Sequence, residues 1–566
     1  LRAYPGVTAI VYDQTCAAEK RRRRKRGTFP DPQKRVVIND LVCEGCGDCS
    51  VQSNCLSVTP LETEFGTKRA IDQSSCNKDY SCLKGFCPSF VTVHGGNPRR
   101  RSGLQETEST PFPVLPQPVL PVFDGTYRIV LSGVGGTGVI TIGALLGMAG
   151  HLQGLGCSVL DMTGLAQKGG AVASHIILGA TPEAVTATHV PVAGADLLLG
   201  CDQVVAAGER VLPTLSPDRS RAVINDHQMM TGDFIRQPDL LFPGGELRDR
   251  IAQRCRQNGL HSIPATRLAE ALFGDAIAAN TLILGFAFQS GWLPVGADAI
   301  ERAIELNGQA IEMNQQAFRW GRRLAAEPQR VMQLALNRDA PQQVPAPAGL
   351  EDLLSARCAY LIEYQDSDYA TRYRAQVEAV HQCETRILPG ETALTMAVAD
   401  SLFRVMAYKD EYEVARLFSD PAFKRSLDQT FEGDYSLEFH LAPPFLSRTD
   451  PATGRPAKRK FGPWMLVLMP WLARLKRLRG TAWDPFGYSA DRRLERQLLK
   501  TFPALVERLL GSLRPDNHPA AVEIARLTSE IRGFGPVKHA AAESVLARQK
   551  TLMAAFESSR PTDRAA

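Results

Sequence analysis

Along the middle of the chain, short apolar runs alternate with helical periodicity. Tyr127-Arg128-Ile129-Val130-Leu131-Ser132 reads as a buried strand, and the run from Val139 to Gln153 reads as a helix. Ser158-Val159-Leu160, ending at Asp161, reads as the next strand, and His175–Leu178 as another. Beyond residue 350 the pattern changes, and long amphipathic stretches such as Leu394–Phe418 predict a mostly helical domain. Prolines punctuate the chain between these regions. Pro98, Pro111, Pro113, Pro116, Pro118 and Pro121 favour an extended linker without internal hydrogen bonds. A second linker, rich in Pro, Ala and Gln, covers Pro341 to Gly349. The expected fold class is multidomain α/β: a cysteine-rich domain over 31–96, a linker over 97–126, a Rossmann-like α/β domain over 127–336 and a mostly helical domain over 350–560.

Composition narrows this. At ~100–200 residues per domain, 566 residues make three to five domains. A hydrophobic content of 44% with 22% charged residues excludes disorder as a whole-chain description. The net charge of +5 comes from 65 basic and 60 acidic residues, too near balance for a chain that coats nucleic acid. The apolar stretch Phe461–Ala473 is too short to span a bilayer and holds Pro463 and Pro470; it is expected to form a buried helix or turn. No secretory signal opens the chain, and Pro5–Tyr12 reads as a strand already in progress, so the sequence is read as a piece of a longer polypeptide.

The 13 cysteines are unevenly spread, with seven of them between Cys43 and Cys87. That layout suits a metal site better than a disulfide framework. Cys43-x2-Cys46-x2-Cys49 can wrap three corners of a cubane cluster, and the fourth corner then comes from a distant Cys-Pro, for which Cys87-Pro88 is the candidate. Cys43, Cys46, Cys49 and Cys87 are therefore assigned to one [4Fe–4S] cluster. Cys55, Cys76 and Cys82 offer three ligands to a second. Its fourth ligand stays open between Cys16, a carboxylate such as Asp79, and a three-iron cluster that needs none. Structural zinc sites show paired Cys-x2–4-Cys knuckles, which a triplet with a remote Cys-Pro fits poorly. Such clusters move single electrons, so this block predicts an electron path, not a substrate pocket.

Between the first predicted strand and helix lies Gly133-Val134-Gly135-Gly136-Thr137-Gly138. Gly133, Gly135, Gly136 and Gly138 permit a tight turn beneath a helix N-terminus, a place where backbone N–H groups meet an anion. No Lys-Ser/Thr follows, so this is not a nucleotide-hydrolysing P-loop. Asp161 stands about where a ribose-binding carboxylate stands in a dinucleotide fold. Directly after it, Gln167-Lys168-Gly169-Gly170 closes a second glycine loop, and the two loops suggest one cofactor-facing edge built from Lys168, Gly169, Gly170 and the first turn. His175 reads as a core or interface histidine, and Cys157 and Cys201 as core residues.

Taken together, Gly133–Gly138, the Gln167–Gly170 loop and Asn280-Thr281-Leu282-Ile283-Leu284-Gly285 resemble the gamma domain of 2-oxoacid:ferredoxin oxidoreductases. The cysteine block resembles their ferredoxin-like domain. Asp13–Lys20 with the arginine run after it is similar to the end of their thiamine-diphosphate domain, which places residues 1–30 in that tail. The order of parts resembles the fused indolepyruvate ferredoxin oxidoreductase family. The resemblance implies oxidative decarboxylation of an aryl 2-oxoacid with coenzyme A, giving an acyl-CoA and CO2 while electrons pass through [4Fe–4S] clusters to ferredoxin. It also implies a cytoplasmic homodimer, with thiamine diphosphate and Mg2+ on an N-terminal portion outside this sequence. The thiamine fingerprint, Gly-Asp-Gly followed by Asn-Asn, is absent here: Gly232-Asp233-Phe234 and Gly433-Asp434-Tyr435 lack its third residue. The rival reading is an NAD- or flavin-dependent oxidoreductase with an appended ferredoxin module. The run Lys20–Arg26 is either a solvated face or an anchor for an acidic surface or for coenzyme A phosphates.

Overall fold

The computed structural model describes residues 4–11, 13–99, 114–163, 170–336, 349–443 and 455–558. Its strands are β1 Lys34–Ile38, β2 Val58–Leu61, β3 Lys68–Ile71, β4 Phe90–Pro98, β5 Thr126–Val134, β6 Gly156–Thr163, β7 Ala171–Gly179, β8 Leu197–Gly200, β9 Arg221–Asn225, β10 Leu260–Ile263, β11 Phe431–Leu441 and β12 Arg459–Phe461. The chain divides into two compact units. One comprises Leu1–Asp31, Arg99–Met230 and Leu241–Gln342; the other comprises Pro32–Pro98, Thr231–Leu240 and Gln343–Ala566.

The first unit is built on a six-stranded sheet in the order β10-β9-β8-β5-β7-β6. β5, β8, β9 and β10 run parallel, whereas β7 pairs antiparallel with both β5 and β6. Alternate residues enter opposite cores, as the two-residue strand period requires. Ile129, Leu131, Leu197, Leu199 and Val223 enter one core; Val130, Leu198, Ala222 and Ile224 enter the other. The simple Rossmann expectation is corrected here, because β6 is not the neighbour of β5. Residues 171–179 are buried along almost their whole length and take the interior place beside β5, while β6 alternates buried and exposed positions and forms the edge. Cys157, expected in the core, is accordingly exposed on that edge. The helices Ala279–Gln289 and Ile311–Ala326 cross closely. A Cβ on Gly285 would stand 2.0 Å from the Phe318 carbonyl oxygen, and one on Gly321 2.0 Å from that of Leu282.

Two further expectations change. The opening run read as a strand forms none over residues 4–11, where Val7, Ile10 and Val11 are exposed and have no strand beside them; Tyr12 lies outside the described residues. The Phe461–Ala473 stretch does contain a helix, Met465–Arg474, but only Met465 and Met469 are buried, and Val467 and Trp471 face out.

In the second unit, β1 pairs antiparallel with β4, and β2 with β3. The short helix Asp48–Ser53 follows β1, and the turn Ser81–Lys84 precedes β4. β11 joins the free edge of β4, placing Leu437 opposite Val93 and Phe439 opposite Val91, and β12 closes the sheet. Val91, Val93, Leu437 and Phe439 share one core with Phe418, Phe423, Leu427 and Met469. A separate helical core gathers Leu361, Tyr373, Leu402, Phe502, Ile524 and Val545, as the amphipathic pattern predicts. The cysteine block and the C-terminal region thus belong to one unit and share a sheet.

Candidate metal centre

Cys43, Cys46, Cys49 and Cys87 line one small cavity, together with Glu44, Asp48, Arg69 and Phe90. Local backbone chemistry sets the loop. The N–H groups of Val42 and Cys43 both donate to the Asn39 carbonyl, whose own N–H donates to Ser89 O at 2.8 Å, tying the triplet to the Cys-Pro segment. Gly45 and Gly47 take φ of 69° and 77°, a left-handed region that L side chains rarely adopt. The Gly45 N–H donates to Cys43 Sγ at 3.4 Å, and Ser89 Oγ lies 2.8 Å from Cys87 Sγ. At Gly85 a Cβ would stand 2.8 Å from Cys49 Cα, so the two ligand segments approach closely there.

The cavity is electrostatically demanding. Burial, with Cys87 and the other thiols adding to it, pushes Cys46 and Cys49 upward, and burial pushes Cys87 up to about 11. Four thiolates in such a place are costly unless iron compensates them. Two carboxylates sit among them. Burial opposes ionisation of Glu44, but the Lys409 ammonium at 3.1 Å and further cations outweigh it and hold the carboxyl at about 2. Asp48 accepts the Phe86 N–H at 2.6 Å and pairs with Arg455 at 3.0 Å. Lys409 Nζ also donates to the carbonyls of Leu41, Val42 and Cys43. Arg69 is fully buried, lies over the Phe234 ring at 4.6 Å and donates to Pro238 O, while its Nε has no hydrogen-bond partner among the described residues.

Cys55, Cys76 and Cys82 lie within electrostatic reach of one another. Burial, then Cys76 and Cys55, push Cys82 up to about 12. Burial also raises Cys76, against the Lys78 N–H that donates to its Sγ at 3.4 Å. Asn54, Lys78 and Tyr80, beside these cysteines, hold left-handed φ of 49°, 52° and 62° without being glycine. Such backbone costs of order 1–3 kcal/mol per residue and persists where surroundings fix it. Asp79 faces the same thiols, and its carboxylate accepts two hydrogen bonds from Ser81. Cys16 belongs to the other unit.

Among the described residues no group of three or more His, Cys, Asp or Glu is arranged to hold a metal ion. A tetrahedral zinc with Zn–S of ~2.3 Å would draw its sulfurs to within ~4 Å of each other.

In the first unit the glycine turn runs from β5 into the helix Val139–Leu152, with Gly138 at its N-cap and Gly136 in open space. Asn280 Nδ2 donates to Thr137 O at 2.9 Å, and the Gly135 N–H donates to Gly170 O at 2.7 Å, so two of the three gamma-like motifs and the end of the third meet here. Lys168 and Gly169 lie outside the described residues. Gly133 is a packing residue, since a Cβ would stand 2.7 Å from Val139 and 3.0 Å from Cys201. Asp161 accepts the Ser174 hydroxyl at 2.5 Å and lies on the edge strand, which removes the ribose carboxylate from the dinucleotide reading. His175 is a buried core histidine whose Nδ1 accepts the Val190 N–H. Arg22 and Arg23 of the basic run pair with Glu19.

Sequence reasoning missed Glu44, Asp48 and Arg69 as wall residues and Lys409, Arg455 and Lys458 as their cationic neighbours. The basic run Arg455-Pro-Ala-Lys458-Arg459-Lys460 is the one signal that could have pointed to the last two.

The family model described as pyruvate ferredoxin/flavodoxin oxidoreductase matches residues 128–324, and one described as a family of unknown function, DUF6537, matches residues 350–551. Indolepyruvate oxidoreductase subunit IorB of Methanothermobacter thermautotrophicus is 27% identical over 203 residues, 36% of this chain and 98% of that protein. IorB of Pyrococcus horikoshii is 28% identical, over 36% of this chain and 96% of its own length. The 2-oxoglutarate synthase subunit KorC of M. thermautotrophicus is 29% identical over 35% of this chain and 95% of that protein. Among solved structures, the pyruvate oxidoreductase subunit PORC of Thermotoga maritima matches at 19% identity and a TM-score of 0.26, covering 35% of this chain and 96% of that one. No helix among the described residues is long and apolar enough to cross a membrane.

Proposed function

We propose that the chain is the electron-transfer and gamma portion of a 2-oxoacid:ferredoxin oxidoreductase of the indolepyruvate kind, a reading supported by the family match over residues 128–324 and by the similarity to IorB and KorC subunits. The overall reaction is R–CO–COO⁻ + CoA–SH → R–CO–S–CoA + CO2 + H⁺ + 2 e⁻, with an aryl 2-oxoacid such as indolepyruvate as substrate. Decarboxylation, with thiamine diphosphate and Mg2+, falls to a polypeptide portion outside these 566 residues. The observation that carries the reading is the meeting of four thiols, Cys43, Cys46, Cys49 and Cys87, on one buried cavity. The order β1, helix, β2, β3, turn, β4 supports a ferredoxin-like module around it.

A [4Fe–4S] cluster held there would accept and pass single electrons. The protein's own part is positional. Gly45 and Gly47 turn the triplet around the cavity, Ser89 Oγ–H and the Gly45 N–H stand beside sulfur, and Phe90 with the buried β1–β4 pair keeps water away. Cys55, Cys76 and Cys82 form the second cluster site. The gamma portion contributes the Gly135–Gly138 turn with Gly170 as the edge that faces coenzyme A.

The test is anaerobic purification of the 566-residue chain, iron and sulfide analysis, and electron paramagnetic resonance after dithionite reduction. About four iron and four sulfide per filled site are expected, with the signal of the Cys43–Cys87 cluster lost in Cys43→Ser and Cys87→Ser. A folded, iron-free chain after reconstitution with iron and sulfide refutes the reading.

A further inference from the structure

The C-terminal segment matches a family of unknown function, and it supplies several of the charges around the cysteine cavity. Glu44 and Asp48, which the cysteine loop places on the wall, are each paired to a cation from beyond residue 400, Lys409 at 3.1 Å and Arg455 at 3.0 Å. A third cation, Lys458, is placed differently. Its Nζ donates to Gly85 O at 2.5 Å and lies 4.7 Å from the centre of the Phe90 ring, both on the cavity wall. The groups it faces are the thiols of Cys87, Cys82 and Cys49 and the Asp48 carboxylate, and among the described residues it is bonded to no carboxylate of its own. The same segment packs against the ligand loop: a Cβ on Gly533 would meet Cys46 Cβ at 3.4 Å, an ordinary contact, and one on Gly535 would stand 2.4 Å from Phe86.

We propose that the C-terminal domain is the cationic half of the cluster site: Lys409 and Arg455 neutralise the wall carboxylates, and Lys458 acts as a positioning residue that sets the reduction potential. The inference rests on the cluster reading above. Each electron added to a group held by four thiolates adds a negative charge inside a half-dry cavity. A fixed ammonium on the wall of that cavity, at Gly85 O and the Phe90 ring, makes that charge less costly, because Coulomb interaction there is poorly screened. Removal of the ammonium therefore disfavours the reduced state and moves the midpoint potential down. Gly85 and Phe90 stay in place in such a variant, so the cavity keeps its shape while its charge changes.

The experiment is a potentiometric titration of the full chain, followed by electron paramagnetic resonance, with iron content measured on the same samples. Lys458→Met is expected to keep its iron and to lower the reduced-to-oxidised ratio at fixed potential about tenfold, a displacement of about 59 mV to the negative side for a one-electron couple. Lys458→Arg is expected to leave the potential near that of the unaltered chain. Loss of the cluster in Lys458→Met with retention in Lys458→Arg equally supports a required positive charge. An iron-loaded Lys458→Met with an unmoved potential overturns this inference alone, as does cluster loss in both variants. An iron-free unaltered chain overturns the cluster reading beneath it.

Discussion

Phe439→Ala tests whether the cysteine block and the C-terminal region open as one unit. Phe439 is fully buried near the C-terminal end of β11, opposite Val91 of β4 on one side and Phe461 of β12 on the other. Its ring meets Phe418 edge-on with centroids 5.2 Å apart. Truncating a buried phenylalanine removes its transfer energy and leaves a cavity, together costing about 3–5 kcal/mol. Since ~1.4 kcal/mol is a factor of ten, amides that exchange only when this sheet opens should exchange faster by about two to three and a half powers of ten. The assay is hydrogen exchange read by mass spectrometry on peptides covering β1, β4, β11 and the helix Glu411–Ser419. Those of β4 and β1 should accelerate together with those of β11. If β11 and the helix accelerate while β4 keeps its protection, the shared core is not a cooperative unit and the reasoning fails.

Two further outcomes are expected. Gly285→Ala puts a methyl 2.0 Å from the Phe318 carbonyl, a backbone atom that cannot rotate away. The two helices must separate, at a cost of about 1–3 kcal/mol or more, and a Tm equal to that of the unaltered chain would contradict the packing. His440 is buried beside Thr92 Oγ1 at 2.7 Å, and burial, with Lys458 next, holds its imidazole at about 4 against the ordinary 6.5 despite Glu438 nearby. The unfolded chain therefore binds this proton first as pH falls. The stability linked to it is whole above about 6.5 and is lost down to about 4, at roughly 1 kcal/mol per pH unit. Urea titrations across that window should show a shallower slope for His440→Gln, and an unchanged slope would assign the effect elsewhere.

What the sequence revealed and what it hid follow from the range of the forces involved. Strands such as 127–132 and helices such as 139–153 are written in local periodicity, and both are present. Sheet order is not local. The glycine turn and Asp161 suggest a parallel neighbour for β5, but the greater apolar content of residues 171–179 wins the interior position beside β5, and β6 moves to the edge. β11 escaped for a related reason. Phe431-Glu-Gly-Asp-Tyr-Ser-Leu-Glu-Phe alternates weakly, and its strand character comes from β4, more than 330 residues upstream in the chain.

The metal centre shows the same division within one site. The three-residue cysteine steps and Cys87-Pro88 are a local code, because a loop must present thiols at fixed intervals to wrap a compact group, and the four thiols do share a cavity. The charge balance of that cavity has no local code. Glu44 and Asp48 look like ordinary loop polars until their burial is known, and Lys409 looks like a surface lysine until its Nζ is found on three carbonyls of the ligand loop. An unpaired buried carboxylate would oppose the anionic group the thiols are placed to hold, so the loop could not keep either carboxylate without a distant cation. The cysteine spacing is what the proposed cluster rests on. The partners of Glu44 and Asp48 say why the chain beyond residue 400 must be folded beside it.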